Sequence, residues 1–278
     1  MSRSTESTEM TAPPREKVTT ASIRGRKGGD KITSVTAYDY SVAKLVDAAG
    51  VDVILVGDSL GNVVLGYPDT TRVTLDDMLH HTRAVTRARP QALVVADMPF
   101  LSFGVSVQET IRNAGRLIRE AGAEAVKLEG GVRVQDDIRA LVERQIPVMG
   151  HVGLTPQSVH SFGGFKVQGK TLESADQVVR DAVAVQEAGA FSVVLEGIPA
   201  ALGERVSREL DIPTIGIGAG PGCDGQVLVL HDMFHLFQDF TPKFVKVYVD
   251  VGKAMREGLE QYCRDVRAGK FPGKQHSF

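Results

Sequence analysis

Eight short runs of apolar, often β-branched residues recur along the chain and constrain its fold more than any other feature. They are SVTAYD (34–39), VILVGD (53–58), ALVVADMP (92–99), AVKLEG (125–130), PVMGHVGL (147–154), SVVLEG (192–197), PTIGIGAG (213–220) and QVLVL (226–230). Each run is apolar on both faces, which is typical of strands in a covered parallel sheet. Segments with helical spacing separate most of them, and several end in Ala-Gly, a common helix stop. This alternation predicts an α/β fold, a (β/α)₈ TIM barrel rather than an open doubly wound sheet.

The C-terminal part of the predicted barrel is irregular. Only about PGCDG separates the seventh run from the eighth, which is too short for a helix. The sequence TPKF predicts that a last helix starts with Thr241 as N-cap and Pro242 in the first turn. Its apolar positions form one stripe: Phe244, Tyr248, Val251, Met255, Leu259, Tyr262 and Val266. The stripe predicts packing against the chain's own barrel or, alternatively, against a partner subunit.

Composition narrows the classes of partner and compartment. The 32 Lys and Arg residues nearly balance the 34 Asp and Glu residues, so no electrostatic footprint for nucleic acid or an anionic membrane exists. Cys223 and Cys263 are too few for a disulfide framework and lack the spacing of a zinc site. The longest apolar runs are strand-length, and the N-terminus has no signal-peptide core. We therefore expect a cytoplasmic protein with neither membrane nor nucleic-acid partners.

The N-terminal residues differ in composition from the remainder. Residues 1–28 are rich in Ser, Thr, Pro and charged side chains, and such segments bury too little apolar surface to offset the entropy of ordering. We predict a mobile tail over residues 1–28, followed by a single barrel domain over residues 29–278 that includes the C-terminal helices.

Polar residues fall where the predicted strands end, and the active site of such a barrel lies at the C-terminal ends of its strands. From strand two to strand six they are Asp58 and Ser59, Asp97, Lys127 and Glu129, His151, and Glu196. Converging carboxylates repel one another and raise one another's pKa unless a cation lies among them. Oxygen ligands without a thiolate favour Mg²⁺. The pattern predicts a magnesium site in which Asp58 is a ligand.

Three other signals compete with this interpretation. GFKVQGKT (164–171) matches a phosphate-binding loop, but its strand ends about ten residues earlier, which disfavours an ATPase. GIGAGPG (216–222) is followed by no helix, so it predicts a tight turn or a ligand contact instead of a dinucleotide site. Lys127 is a candidate for a Schiff base, but the nearby carboxylate of Glu129 favours a charged ammonium, a poor nucleophile.

The chain resembles the ketopantoate hydroxymethyltransferase family over residues 20–278. The motifs that carry the resemblance are VTAYDYSVAKLVDAAGVDVILVGDSLGNVVLG, ALVVADMPF, AVKLEGG, IPVMGHVGLTPQSV, VVLEGIP, IPTIGIGAGPGCDGQVLV and the terminal FP…HSF. The resemblance implies a barrel of the phosphoenolpyruvate and pyruvate-binding type. It also implies transfer of a hydroxymethyl group from 5,10-methylenetetrahydrofolate to 3-methyl-2-oxobutanoate, giving ketopantoate (2-dehydropantoate) in pantothenate and coenzyme A biosynthesis. The family's usual assembly, a decamer built from dimers, implies a homo-oligomer.

The resemblance also implies roles for individual residues. The Mg²⁺ ligands fall on Asp58 and Asp97, with Glu129 in or just outside the coordination shell. Substrate contacts fall on Ser59, Lys127 and both aspartates, and His151, at the position of the family's histidine, is placed with them. The general base falls on Glu196.

Two other functions stay open at the level of sequence. A related carbon–carbon lyase acting on a 2-oxo dicarboxylate would be favoured by a catalytic cysteine at a strand end, and strands two to six have none. A non-catalytic ligand-binding barrel would be expected to lack a metal carboxylate or the base, and all of them are present.

Overall fold

The computed structural model describes residues 15–278, and its centre is a closed barrel of eight parallel strands in the order β1 to β8. The strands are β1 (Ile32–Thr36), β2 (Val53–Val56), β3 (Leu93–Asp97), β4 (Ala125–Glu129), β5 (Val148–Gly153), β6 (Ser192–Glu196), β7 (Thr214–Ile217) and β8 (Gly225–Leu228). All eight predicted strands are present, and each is paired with its neighbours in sequence. The predicted (β/α)₈ barrel is therefore confirmed.

Helices connect and surround the strands. They are α1 (Thr20–Arg24), α2 (Tyr40–Ala48), α3 (Leu60–Val63), α4 (Leu75–Thr86), α5 (Val107–Ala121), α6 (Gln135–Glu143), α7 (Val159–Phe162), α8 (Leu172–Glu187), α9 (Ala200–Glu209), α10 (Leu230–Met233) and α11 (Val251–Arg267). Short 3₁₀ helices span Thr70–Arg72, Val132–Val134, Pro156–Ser158 and Lys274–His276. As predicted, the described residues between β7 and β8 contain no helix.

Local signals explain where the long helices begin and end. The side chain of Thr74 caps α4 in a capping box with Asp77. Ser106 caps α5, which ends at Gly122 in the left-handed conformation with φ of 77°. These caps satisfy terminal backbone groups and so fix the points at which the chain leaves each helix for the next strand.

Two apolar layers hold the barrel together, and the inner one positions the site. Side chains alternate across a strand, so every second residue points into the barrel. Along β3, Leu93 and Val95 belong to the inner cluster, and Asp97 follows at the same parity. Along β4, Ala125 precedes Lys127 and Glu129 in the same way. The polar residues therefore form the layer directly above an apolar floor.

The predicted mobile tail over residues 1–28 is wrong for residues 15–28, which pack against the barrel; residues 1–14 lie outside the described part of the chain. Val18 and Ile23 join the inner cluster, and the Ile23 side chain in α1 is completely buried. Burial of one such side chain stabilises the fold by about 1.5–3 kcal/mol. Two isolated apolar residues without periodicity carried no signal of this contact.

Two buried carboxylates, each directly before a strand, connect residues 15–28 to the barrel. Asp52 lies 2.8 Å from Nη1 of Arg26, and its Oδ2 accepts a hydrogen bond from the backbone N–H of Thr33. Asp224 lies 2.9 Å from Nζ of Lys27. Both carboxylates therefore bridge the α1 segment and the barrel at the end opposite the candidate site.

The last helix differs from the prediction. It begins at Val251 with Asp250 as its N-cap, and not at Thr241. Its apolar stripe stays exposed, with 62% of Leu259 accessible, and none of its residues is buried. Packing of this helix against its own barrel is therefore wrong, and the alternative contact with a partner subunit stays a prediction. Among the described helices, none combines the length and apolar character needed to cross a membrane.

Asp52→Asn tests the tie between α1 and the barrel. Burial opposes the charge on Asp52, but hydrogen bonds from Thr33 and Arg26 outweigh it and lower its pKa. We expect the variant to lose about 1 kcal/mol of unfolding free energy at pH 7. Because a carboxylate with a lowered pKa stabilises the fold above its unfolded pKa of about 3.9, the loss should shrink as pH falls through the folded-state pKa.

Urea unfolding at fixed protein concentration, followed from pH 7 down to about pH 3, measures this difference. The exposed Asp30→Asn variant is the matched control, and it should unfold like the parent protein. An equal loss for Asp52→Asn across the whole pH range would contradict the electrostatic explanation.

Candidate active site

The residues predicted for the site converge at the C-terminal ends of β2 to β6. Asp58, Asp97, Lys127, Glu129 and His151 are buried, whereas Ser59 and Glu196 are half-buried. Strand register aligns them, since Asp97 is paired with Lys127 and Glu129 with His151. The barrel therefore brings together all seven residues that the sequence singled out.

The two aspartates are in direct contact. The backbone N–H of Asp58 donates to Oδ2 of Asp97 at 3.0 Å. Gly57 permits this approach, because a Cβ there would lie 2.7 Å from Oγ of Ser59 and 3.5 Å from Oδ2 of Asp97. Burial, followed by the charges of Asp97 and Glu129, raises the pKa of Asp58 well above its usual range. Burial also raises the pKa of Asp97.

Lys127 supplies the first positive charge. Its Nζ lies 3.1 Å from Oδ1 of Asp97 and 3.0 Å from Nδ1 of His151. Burial opposes the ammonium, but the carboxylates of Asp97, Glu129 and Asp58 outweigh it and raise the pKa of Lys127. A permanently charged lysine is unsuited to be an amine nucleophile, so the geometry disfavours the Schiff-base alternative.

His151 links the two sides of the site. Its Nδ1 lies 3.5 Å from Oε1 of Glu129, and its Nε2 lies 3.1 Å from Oε2 of Glu196 without hydrogen-bond alignment. Burial and Lys127 oppose the imidazolium, but Glu129 and Glu196 outweigh them and raise the pKa of His151 to about 9. If Lys127 donates to Nδ1 of a neutral ring, the ring proton is on Nε2; the imidazolium carries one there too. In both forms His151 presents an N–H toward Glu196.

Sequence reasoning missed two residues that support this cluster. Gln157 donates through Nε2 to Oδ2 of Asp58 at 2.8 Å, and its backbone N–H donates to Oε2 of Glu129 at 3.0 Å. Tyr38, two residues beyond β1, places its hydroxyl 2.8 Å from Oγ of Ser59. Gln157 lies in TPQS and Tyr38 in TAYD, two segments at the C-terminal ends of strands. That position was the only sign in the sequence that either residue is near the site.

The cluster has the charge and the oxygen donors that a divalent cation requires. Four carboxyl groups face two basic groups, namely Asp58, Asp97, Glu129 and Glu196 against Lys127 and His151. Oδ1 of Asp97 is buried and lies 3.1 Å from Nζ of Lys127, in an ion pair without aligned hydrogen-bond geometry. Within residues 15–278, no three His, Cys, Asp or Glu side chains are grouped to hold a metal ion alone. A cation would thus be held by one or two carboxylates with open positions, the arrangement that suits Mg²⁺.

The individual carboxylates do not fit this cation equally. Asp58 and Asp97 are adjacent: Oδ1 of Asp58 accepts no hydrogen bond from the described residues, and Oδ1 of Asp97 is paired with Nζ of Lys127 at 3.1 Å. Both oxygens of Glu129 are occupied by protein groups, one by the N–H of Gln157 and one by His151. The donor oxygens therefore fit Mg²⁺ most directly at Asp58, whereas Asp97 and Glu129 would each share an oxygen with a neighbouring basic group.

Neither of the two glycine-rich motifs forms the nucleotide-binding loop that it resembles. GFKVQGKT lies well beyond the end of β5 at Gly153, so it is not the strand-to-helix loop of a P-loop ATPase. GIGAGPG spans the end of β7 and the turn into β8, with Gly218 and Gly220 at positive φ. No helix follows this turn before β8, and the dinucleotide fingerprint is absent.

Solved structures share this fold at low sequence identity. 2,3-Dimethylmalate lyase, a PEP mutase/isocitrate lyase superfamily member, aligns with a TM-score of 0.59 at 20% identity, covering 95% of this chain and 90% of that one. Phosphonopyruvate hydrolase in complex with oxalate and Mg²⁺ aligns with a TM-score of 0.60 at 16% identity, covering 92% of each chain. These likenesses confirm the (β/α)₈ barrel fold.

Sequence comparisons identify the family. A family model described as ketopantoate hydroxymethyltransferase matches residues 17–274. The 3-methyl-2-oxobutanoate hydroxymethyltransferase of Syntrophomonas wolfei is 57% identical over 253 residues, covering 91% of this chain and 92% of that protein. The enzyme of the same name from Enterococcus faecalis is 58% identical over 249 residues, covering 90% of each. The chain, with its carboxylate cluster at the mouth of a (β/α)₈ barrel, belongs to the ketopantoate hydroxymethyltransferase family.

Proposed function

We propose that this protein transfers a hydroxymethyl group from 5,10-methylenetetrahydrofolate to 3-methyl-2-oxobutanoate in a Mg²⁺-dependent reaction in the cytoplasm. Family membership supports the reaction. The observation that carries the mechanism is the arrangement of Asp58 and Asp97 on one side of the barrel and Glu196 on the other. In a closed eight-stranded barrel, β2 and β6 are diametrically opposed.

Asp58 and Asp97 would hold Mg²⁺, which when bound supplies Lewis acidity toward the oxygens of the 2-oxo acid. Lys127 keeps its charge beside Asp97 and offers an N–H donor to the same oxygens. Ser59, whose hydroxyl lies 2.8 Å from that of Tyr38, offers a second donor, which is neutral. These residues fix the substrate with its keto group toward β2 to β4 and its C3 toward β6.

Glu196 is the base in this proposal. Its carboxylate takes the proton from C3, and the electrons of the broken C–H bond form the C2–C3 double bond of the enolate. Its side chain is 15% exposed, so it faces the open mouth of the barrel instead of the apolar floor. His151, 3.1 Å away, limits the rotation of the Glu196 carboxylate and keeps an N–H toward it.

Carbon–carbon bond formation completes the reaction. The C3 enolate carbon attacks the methylene carbon of the folate co-substrate, and that carbon becomes the hydroxymethyl group. Both C–N bonds of the methylene carbon break, the N10 bond as the iminium opens before the attack and the N5 bond as water adds its hydroxyl oxygen. N10 and N5 take up two protons, one returned by Glu196 and one from water, and tetrahydrofolate leaves. Atoms balance with one water consumed for each ketopantoate formed.

We also propose a homo-oligomer in which α11 contacts a second copy of the chain. Its apolar stripe is exposed, and 55% of Tyr262 and 56% of Met255 are accessible. Between β7 and β8 a barrel normally carries a helix. Beside the turn that replaces it, a groove of about 570 Å³ is lined in part by Pro221, Gln226 and Phe244. An uncovered amphipathic helix and this groove on one chain are complementary surfaces for a second copy. The decamer implied by family resemblance stays a prediction.

Asp58→Asn and Asp97→Asn test the metal site. Each removes a charged oxygen ligand from a cation with few protein ligands, so we expect Mg²⁺ affinity to fall by about tenfold or more and turnover to fall severely. The Mg²⁺ dependence of ketopantoate formation measures both quantities. Asp136→Asn, an exposed carboxylate on α6, is the matched control. Unchanged Mg²⁺ dependence in both site variants would show that these aspartates are not the ligands.

Glu196→Gln tests the base. The amide keeps the shape of the side chain but accepts no proton, so we expect binding of Mg²⁺ and the keto acid to persist while catalysis falls by about 10² to 10⁴. With folate omitted, exchange of the C3 hydrogen of 3-methyl-2-oxobutanoate with D₂O, followed by NMR, isolates the proton transfer. Glu187→Gln, on the exposed side of α8, should exchange at the parent rate. Parent-rate exchange in Glu196→Gln would assign the base to another group, with His151 the first to examine.

Leu259→Asp tests the interface. A carboxylate in the middle of the apolar stripe would be costly to bury, so we expect a smaller assembly by light scattering coupled to size-exclusion chromatography. Lys253→Asp places the same charge on the opposite face of α11 and serves as the control. If Leu259→Asp kept the parent's mass at all protein concentrations, α11 would not be a subunit contact.

A further inference from the structure

Gln157 donates three hydrogen bonds to residues at or beside the predicted metal site. It lies in the 3₁₀ helix that follows β5, and only 6% of it is accessible. Its Nε2 donates to Oδ2 of Asp58 at 2.8 Å and to the carbonyl oxygen of Met98 at 2.9 Å, which uses both amide hydrogens. Its backbone N–H donates to Oε2 of Glu129 at 3.0 Å. One residue therefore connects the ends of β2, β3 and β4.

The chemistry of the donor matters as much as its position. An amide N–H fixes the orientation of the Asp58 carboxylate without cancelling its charge. A lysine or arginine at this position would neutralise Asp58 and compete with a divalent cation for that carboxylate. A carboxylate at this position would repel Asp58. Gln157 saturates Oδ2 and leaves Oδ1 without a hydrogen bond to the described residues. A neutral donor is thus the type of group that keeps an acidic metal ligand both oriented and charged.

We propose that Gln157 is a positioning residue that orients Asp58 for Mg²⁺ and couples the metal side of the site to the loop after β5. This inference rests on the proposed function, because it assigns a role toward the same cation. It goes further by assigning the orientation of the ligand to a residue that touches neither the reacting atoms nor the proposed base.

Gln157→Met separates orientation from volume, since Met has a similar length and no donor. The probe is Mn²⁺, which shares the oxygen-ligand preference of Mg²⁺ and can be counted free in solution by electron paramagnetic resonance. With 3-methyl-2-oxobutanoate at saturation and no folate, we expect the Mn²⁺ dissociation constant to rise by about 10- to 100-fold. Gln177→Met, on the exposed face of α8, is the matched control and should bind Mn²⁺ like the parent.

Thermal unfolding of the metal-free variants distinguishes positioning from a merely structural role. A structural role would lower the melting temperature of Gln157→Met and leave the Mn²⁺ dissociation constant within twofold of the parent, which would overturn the inference. If Gln157→Met does not fold, Gln157→Asn applies the same test, because its amide is one methylene too short to reach Asp58. Failure of the parent protein to bind Mn²⁺ would overturn the proposed metal function itself, and this inference with it.

Discussion

The burial of three carboxyl groups in one small volume, with the half-buried Glu196 beside them, is the constraint on which the rest of this structure depends. Removing an ion from water costs on the order of several kcal/mol even after relaxation, and like charges add to that cost. The chain offsets it with Lys127 against Asp97, with His151 between Glu129 and Glu196, and with backbone N–H groups. These partners leave the two aspartates with raised pKa values, so the cluster still favours an added cation.

The barrel can sustain this cluster because its positions are set by rigid strands. Inward residues alternate along each strand, and register places the end of one strand beside the end of the next. Below the polar layer the inner apolar cluster excludes water, and Ile23 closes it from the opposite end. The N-terminal segment, although remote from the chemistry, thus completes the apolar floor on which the site is built.

The sequence predicted what depends on local pattern and missed what depends on contact in three dimensions. Strand runs and the polar residues that end them are local, so all eight strands and the convergence of the residues from Asp58 to Glu196 were predictable. Ile23 carried no periodic signal, and α11 starts at Val251 because Asp250, and not Thr241, caps it. The role of Gln157 could not be predicted from local sequence either, because its hydrogen-bond partners lie up to 99 positions away along the chain.

Carboxyl groups of similar intrinsic chemistry are placed in different environments, and this difference separates their roles. Asp58 and Asp97 are fully enclosed, and their oxygens face one another and a fixed ammonium, so they are suited to hold charge in place. Glu196, across the barrel, is partly open to solvent and lies 3.1 Å from Nε2 of His151, so a proton that it takes has a path away from it. In the proposed reaction, a substrate held between them would have its oxygens on the side that stabilises negative charge and its acidic carbon on the side that accepts protons. The division of labour therefore follows from strand position in a closed barrel and needs no difference in residue type.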